Sequence, residues 1–138
     1  MSNATKLMAG VILLTVPTIQ YGGYFLLTQL TDKNSGYTSN PLRQNFFRAG
    51  HAHAGVIVIL SLVCQVLVDG ASLPAPLAWF VRLGVPLAAI LIPLGFFVSI
   101  ASPQSTKPNS AINLIYAGAV ILALSVVTLG VGLLRGRT

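Results

Sequence analysis

The chain carries two histidines, and both lie in the stretch "RAGHAHAG", residues 48 to 55. A neutral imidazole ligates transition metals and haem iron, and it exchanges its proton near physiological pH. His51 and His53 are therefore the candidate cofactor-binding and metal-ligating residues. Their neighbours Ala49, Gly50, Ala52, Ala54 and Gly55 are all small. Side-chain cover is absent around an imidazole where a planar ligand, or a closely packed partner helix, needs the space. Three readings stay open: a structural or interfacial role, a metal or haem site, and a proton-linked switch. No cluster of Cys, Met or carboxylate supports a metal site, because Met8 and Cys64 are not placed to complete one. Ser61, Ser125 and the histidines form no nucleophile–base–acid set, and the two acids, Asp32 and Asp69, fall at span ends. An enzyme is the least supported class.

The elements that position these residues are membrane helices. Only 7% of the 138 residues are charged, against about 25% in soluble domains. Four apolar stretches reach the roughly 20 residues a helix needs to cross a bilayer. They lie at about Leu7–Leu30, Phe46–Val68, Leu77–Ile100 and Ala111–Leu134. No sustained alternation of period two suggests a barrel. The expected fold is an all-α, four-helix transmembrane bundle in one domain, 1–138. Asn40 followed by Pro41 reads as an N-cap with proline at the first helical position. The second helix is thus expected to begin near Pro41 and run to Asp69, with Gly70 as its C-cap. Asn109 or Ser110 caps the fourth helix. Pro17-Thr18-Ile19-Gln20-Tyr21 follows the first apolar run where a cleavage site would need small residues, so the first span is read as retained rather than as a signal peptide. Lone Cys64 reads as a small buried filler.

An internal echo runs through the chain. Residues 54–63 resemble 117–127 with one insertion, and "GYF" at 23–25 resembles "GFF" at 95–97. The first two helices are then a copy of the last two, with His53 matched to Tyr116 and His51 to Leu114.

On a regular helix His51 and His53 point about 200° apart and must face different surroundings. Below His51 run Gly55, Val58, Leu62, Gln65 and Asp69, with Ser61 beside them. Below His53 run Ile57, Leu60, Cys64 and Leu67. Polar groups in membrane helices normally face protein or a water cavity. His51 is therefore expected to point into the bundle, and His53 toward a second subunit, a ligand or the headgroups. Gln20, Tyr24 and Thr28 share one narrow arc of the first helix, next to Tyr21 and Pro17, and Gly22-Gly23 permits close approach. With Gln65, Asn113 and Tyr116 they form the expected interhelical or polar-path set, with Gln20, Tyr24 and Gln65 buried between helices. The third helix offers little chemistry: Pro86 and Pro93 are expected to kink it, and Arg82 with Trp79 to anchor it at the interface.

The His-x-His helix resembles the motif in the core subunit of haem–copper oxidases and their nitric-oxide-response relatives. There the two histidines diverge toward different metal centres. The resemblance covers these few positions and implies a haem-ligand role for His51 and His53. Those proteins have many more spans and further histidines, so a bis-imidazole haem here would draw its other ligand from a second copy or another protein. The most specific expectation is therefore haem or a transition metal bound at a subunit interface. The alternatives are an oligomeric proton-linked channel or transporter, and an accessory subunit of a larger membrane complex.

The formal charge of +6 does not point to nucleic acid, since the basic residues sit at helix ends and in loops, where they suit anionic headgroups. Lys6, Arg82, Arg135 and Arg137 share one side, and Lys33, Arg43, Arg48 and Lys107 the other. The lean is toward both termini inside, because Arg135 and Arg137 adjoin a span while Asp32 dilutes the first loop. The expected setting is a bacterial inner membrane with both termini cytoplasmic. The lipid bilayer and a homo-oligomer or larger complex are the expected partners.

Overall fold

The structure is a computed structural model, and it describes residues 1–136. Four helices account for most of it: α1 (Asn3–Thr31), α2 (Pro41–Val68), α3 (Ala75–Ser99) and α4 (Asn113–Arg135). Each is long and apolar enough to cross a membrane, with mean hydropathy between 1.4 and 2.4 in its most apolar stretch. The fold is an all-α four-helix bundle of the membrane-spanning kind.

Helix ends follow the capping residues. Asn40 accepts a hydrogen bond from the Arg43 N–H, and α2 starts at Pro41. Ser2 caps α1 in the same way through the Thr5 N–H. Of the two candidates before α4, Asn109 is the cap: its side chain accepts from the Ala111 N–H, opening a single 3-10 turn, Ser110–Ile112. Gly70 does not cap α2. Asp69 is the cap residue, in right-handed conformation, and the turn continues through the Gly70 N–H to the Leu67 carbonyl. A left-handed glycine is unnecessary because the Asp69, Gly70 and Ala71 N–H groups bond the Val66, Leu67 and Val68 carbonyls in that continuing turn.

The helices pack unevenly. α3 lies between α2 and α4 and touches both along its length, whereas α1 leans on α2 and scarcely meets the others. The α3–α4 contact is set by glycines. A Cβ on Gly95 would meet the Ile115 backbone nitrogen at 2.9 Å, and one on Gly118 would meet Ile92 Cγ1 at 2.7 Å. Membrane helices gain little from the hydrophobic effect between them, so close backbone approach of this kind carries the association. The main core combines Ile57, Cys64 and Val68 of α2 with Val81, Val85, Ala88 and Ile92 of α3 and Leu129 of α4. A second, aromatic cluster of Tyr37, Phe47 and Ile100 closes the end away from the termini. There Arg43 lies 4.9 Å over the Phe47 ring and donates to the Ser35 and Ala101 carbonyls, joining two connections.

The sequence echo has a structural counterpart. Gly23 packs against His51 across α1 and α2, and Gly95 packs against Leu114 and Ile115 across α3 and α4. These are the pairs that the echo matches. Each two-helix hairpin closes in the same register, and His51 occupies the place that a leucine fills in the other.

Gly95→Ala should lower stability by about 1–3 kcal/mol, since backbone limits relief of the overlap. Thermal unfolding in detergent measures it, and Gly10→Ala, where a Cβ would meet nothing within 4 Å, should have no such effect.

Candidate functional site

Helix α2 is regular through residues 49–55, so the two imidazoles diverge. His51 turns toward α1. Cβ atoms built on Gly22 and Gly23 would lie 3.4 Å from its Nδ1 and 3.3 Å from its Nε2. The glycine pair therefore clears room for the ring. The partner is this bare backbone, not the expected arc of Gln20, Tyr24 and Thr28. On its other side α2 presses Gly50 against α3, where a Cβ would stand 2.9 Å from Phe96 Cβ. That approach brings Phe96 under His53, with ring centroids 5.2 Å apart.

His53 is exposed on the outer surface of α2. Its Nδ1 lies 2.7 Å from the Ala49 carbonyl oxygen. A carbonyl only accepts, so Nδ1 carries the proton and the neutral ring keeps its lone pair on Nε2. Metal-bound histidines are commonly oriented by just such a bond from the far nitrogen. Of the two imidazoles, only this one is hydrogen-bonded among the described residues.

Beside His51 opens an apolar groove between α1, α2 and α3, with a volume of about 390 Å³. Its walls include Met8, Ile12 and Gly22 from α1, Ala54 and Val58 from α2, and Pro86 and Pro93 from α3. Three hydroxyls on it are satisfied within their own helices: Thr15 by the Ile12 carbonyl, Thr18 by that of Thr15, and Ser61 by that of Ile57. His51 is half-buried at one end of the groove.

The densest polar cluster is one that the sequence reading does not foresee. Arg82 is not an interfacial anchor: it is 6% exposed and donates from Nη2 to Asp69 at 2.6 Å. Its Nη1 donates to Thr5 Oγ1 at 2.8 Å and to Gln65 Oε1 and the Gln65 carbonyl, both at 3.2 Å. Ser2 adds two bonds to Asp69, one from its backbone N–H and one from its hydroxyl. Pro86 removes the N–H that would bond the Arg82 carbonyl, and Gln65 Nε2 donates to that oxygen at 2.8 Å instead. Helix α3 thus contributes chemistry after all, and the cluster joins α1, α2 and α3 at one end. The signal in the sequence is indirect: Gln65 and Asp69 share a helix face, and an arginine well inside an apolar span requires a partner.

Of the expected polar-path set, Gln65 is fully buried between helices. Gln20, Tyr24, Asn113 and Tyr116 face outward, Tyr24 and Tyr116 being 62% and 61% exposed. Thr28 bonds the Phe25 carbonyl of its own helix. The burial expected of Gln20 and Tyr24 is overturned, because α1 meets α2 through its glycines and turns this arc away. Within one protomer these residues do not converge on a common path. Among the described residues no group of three or more His, Cys, Asp or Glu could hold a metal ion. No family model, curated protein or solved structure matches the chain at a significant level.

The hydrogen bonds from Ser2, with those of Thr5 and Arg82, hold the Asp69 carboxyl well below the usual carboxylate range. A depressed folded-state value stabilises the fold above the unfolded value of about 3.9, and the gain is lost as pH falls through the folded one. Thermal stability should therefore show no Asp69-dependent change between pH 5 and 8 (about one to four units above that value) and should decline only in stronger acid. Arg82→Met should lower the melting temperature more than Asp69→Asn, since Arg82 also holds Gln65 and Thr5.

Proposed function

We propose that the protein is a ligand-binding membrane protein, holding haem or a transition metal on His53 at an interface with a second copy or another subunit. The observation that carries this is the ring of His53: Nδ1 engaged by the Ala49 carbonyl, one face against Phe96, and the imidazole exposed. Such a ring presents a fixed lone pair outward, which is what a ligand-bearing histidine needs. One imidazole does not complete a site, and His51 faces the opposite way. The remaining ligand comes from outside the protomer, so assembly is part of the proposal. The bound group would supply electron-transfer or Lewis-acid chemistry, while the chain supplies the tautomer and an apolar surround.

The outward arc of α1 supports assembly independently. Gln20, Tyr21 and Tyr24 are exposed on the outer face of an apolar helix long enough to cross a membrane, where lipid tails offer no hydrogen-bond partner. A protein neighbour would satisfy them. Because α1 lies on the other side of α2 from His53, contacts at both faces fit a larger complex better than a simple pair.

The test is an absorption spectrum and metal analysis of protein purified from native membranes in mild detergent. A Soret band or stoichiometric metal, lost in His53→Ala and kept in His51→Ala, is expected. A colourless, metal-free preparation that takes up neither haemin nor metal on reconstitution would overturn the proposal.

A further inference from the structure

The helix that its own protomer covers least is also the least apolar. Only 11% of the most apolar stretch of α1 is buried, against 28%, 50% and 22% in α2, α3 and α4. Its mean hydropathy there is 1.4, the lowest of the four, whereas α4, also mostly uncovered, reaches 2.4. A face turned to lipid should be the more apolar one, so α4 presents such a face and α1 does not. The mismatch centres on Gln20. The threonines of α1 bond carbonyls of their own helix, but the exposed Gln20 carboxamide has no partner among the described residues. Between Lys6 and Asp32 the helix carries no charge. Gln20 lies fourteen residues from one and twelve from the other, roughly 21 and 18 Å at the helical rise. In a hydrocarbon core about 30 Å thick, that places it near the middle, beyond the reach of its side chain to either surface.

We propose that the outward face of α1 docks a second copy of this chain, with the two Gln20 carboxamides hydrogen-bonded to each other across a two-fold axis. Copies of a membrane protein insert with one orientation, so a two-fold relating them runs along the membrane normal. Each residue of α1 then lies at the depth of its own twin. A carboxamide carries two N–H donors and a carbonyl acceptor, so its twin is a complete partner, and the pair exchanges two bonds. A different protein would have to bring a donor and an acceptor to that same depth, whereas a second copy always does. The rest of the face suits a helix pair. Leu13, Pro17, Gln20, Tyr24 and Leu27 are all exposed and follow each other at spacings of four and three, the seam of a left-handed crossing. No charge lies on that seam to repel its twin. Helix α1 meets its own protomer through α2, so the seam stands at the edge of the bundle. It is separate from the site proposed on His53, which lies on the other side of α2 and stays open to a further subunit.

The experiment places a benzophenone-bearing residue at Leu13 or Leu27 of the full chain, with Val127 on the outer face of α4 as the control, and irradiates native membranes. A cross-linked product of twice the chain mass is expected at Leu13 and Leu27 and not at Val127. Products of any other protein mass at the α1 positions would overturn the proposal, because the occupant would then be a different protein. Absence of a product at both α1 positions, or an equal yield at Val127, would overturn it too. The role of Gln20 is read by energy transfer between labelled chains in phosphatidylcholine vesicles over a range of protein-to-lipid ratios. Gln20→Leu should raise the ratio for half-maximal transfer at least threefold, although it makes the face more apolar. An unchanged ratio would overturn the carboxamide pair. Gln20 has no bond within the protomer, so the variant should fold. If circular dichroism shows that it does not, the cross-links at Leu13 and Leu27 decide the proposal. Cross-linking should survive in His53→Ala, and its loss there would overturn the separation of the two surfaces. A colourless, metal-free preparation that still cross-links through α1 would count against the His53 reading alone.

Discussion

One geometric constraint organises the molecule: an unbroken α-helix sends side chains two residues apart to nearly opposite sides. Because α2 is regular at Gly50, His51 and His53 cannot share a ligand, and each flank of α2 is shaped to receive one ring. On the α1 side the Gly22-Gly23 pair strips the neighbouring helix to backbone. On the α3 side Gly50 lets Phe96 slide beneath His53. The small residues of "RAGHAHAG" thus serve the close approach of helices as well as the exposure of a ring. Both explanations hold, each for a different histidine.

The placement of α1 depends on two attachments of different physics. At its start, Thr5 and Ser2 join a charged network around Arg82 and Asp69. Further along, its glycines rest on His51. Between these points α1 stands off from α3, and the groove is what remains. A buried arginine is costly in an apolar setting unless its donors are satisfied. Here Asp69, Gln65 and Thr5 take them, so the network fixes which three helices meet and in what register. The α3–α4 pair needs no such device, because glycine contacts bring those backbones together directly.

Much of this is legible in the residues. Apolar run lengths and the charge deficit predict four spans, and Asn40-Pro41 predicts where α2 begins, since caps are local chemistry. The opposed directions of His51 and His53 follow from helical periodicity alone. The features that escape the sequence are tertiary. Arg82 next to Trp79 looks like an anchor until Asp69, thirteen residues away, is brought against it by the α2–α3 turn. Gln20 and Tyr24 look inward-facing because polarity usually marks a buried face, yet the glycines beside them win the contact. In a helix pair held by backbone approach, small residues locate the interface better than polar ones do.

The two rings occupy different environments, and nitrogen NMR on protein labelled at histidine, with carbon-labelled glycine, tests that most directly in a bilayer. Two imidazole spin systems are expected. One should carry its proton on Nδ1 with an unprotonated Nε2 and show no transfer to Gly22 or Gly23, which is His53. The other should show through-space transfer to the α-carbons of Gly22 and Gly23, which is His51, with assignment by single His→Ala variants. Two rings with the same tautomer, and neither within reach of those glycines, would contradict the regular helix and the divided site built upon it.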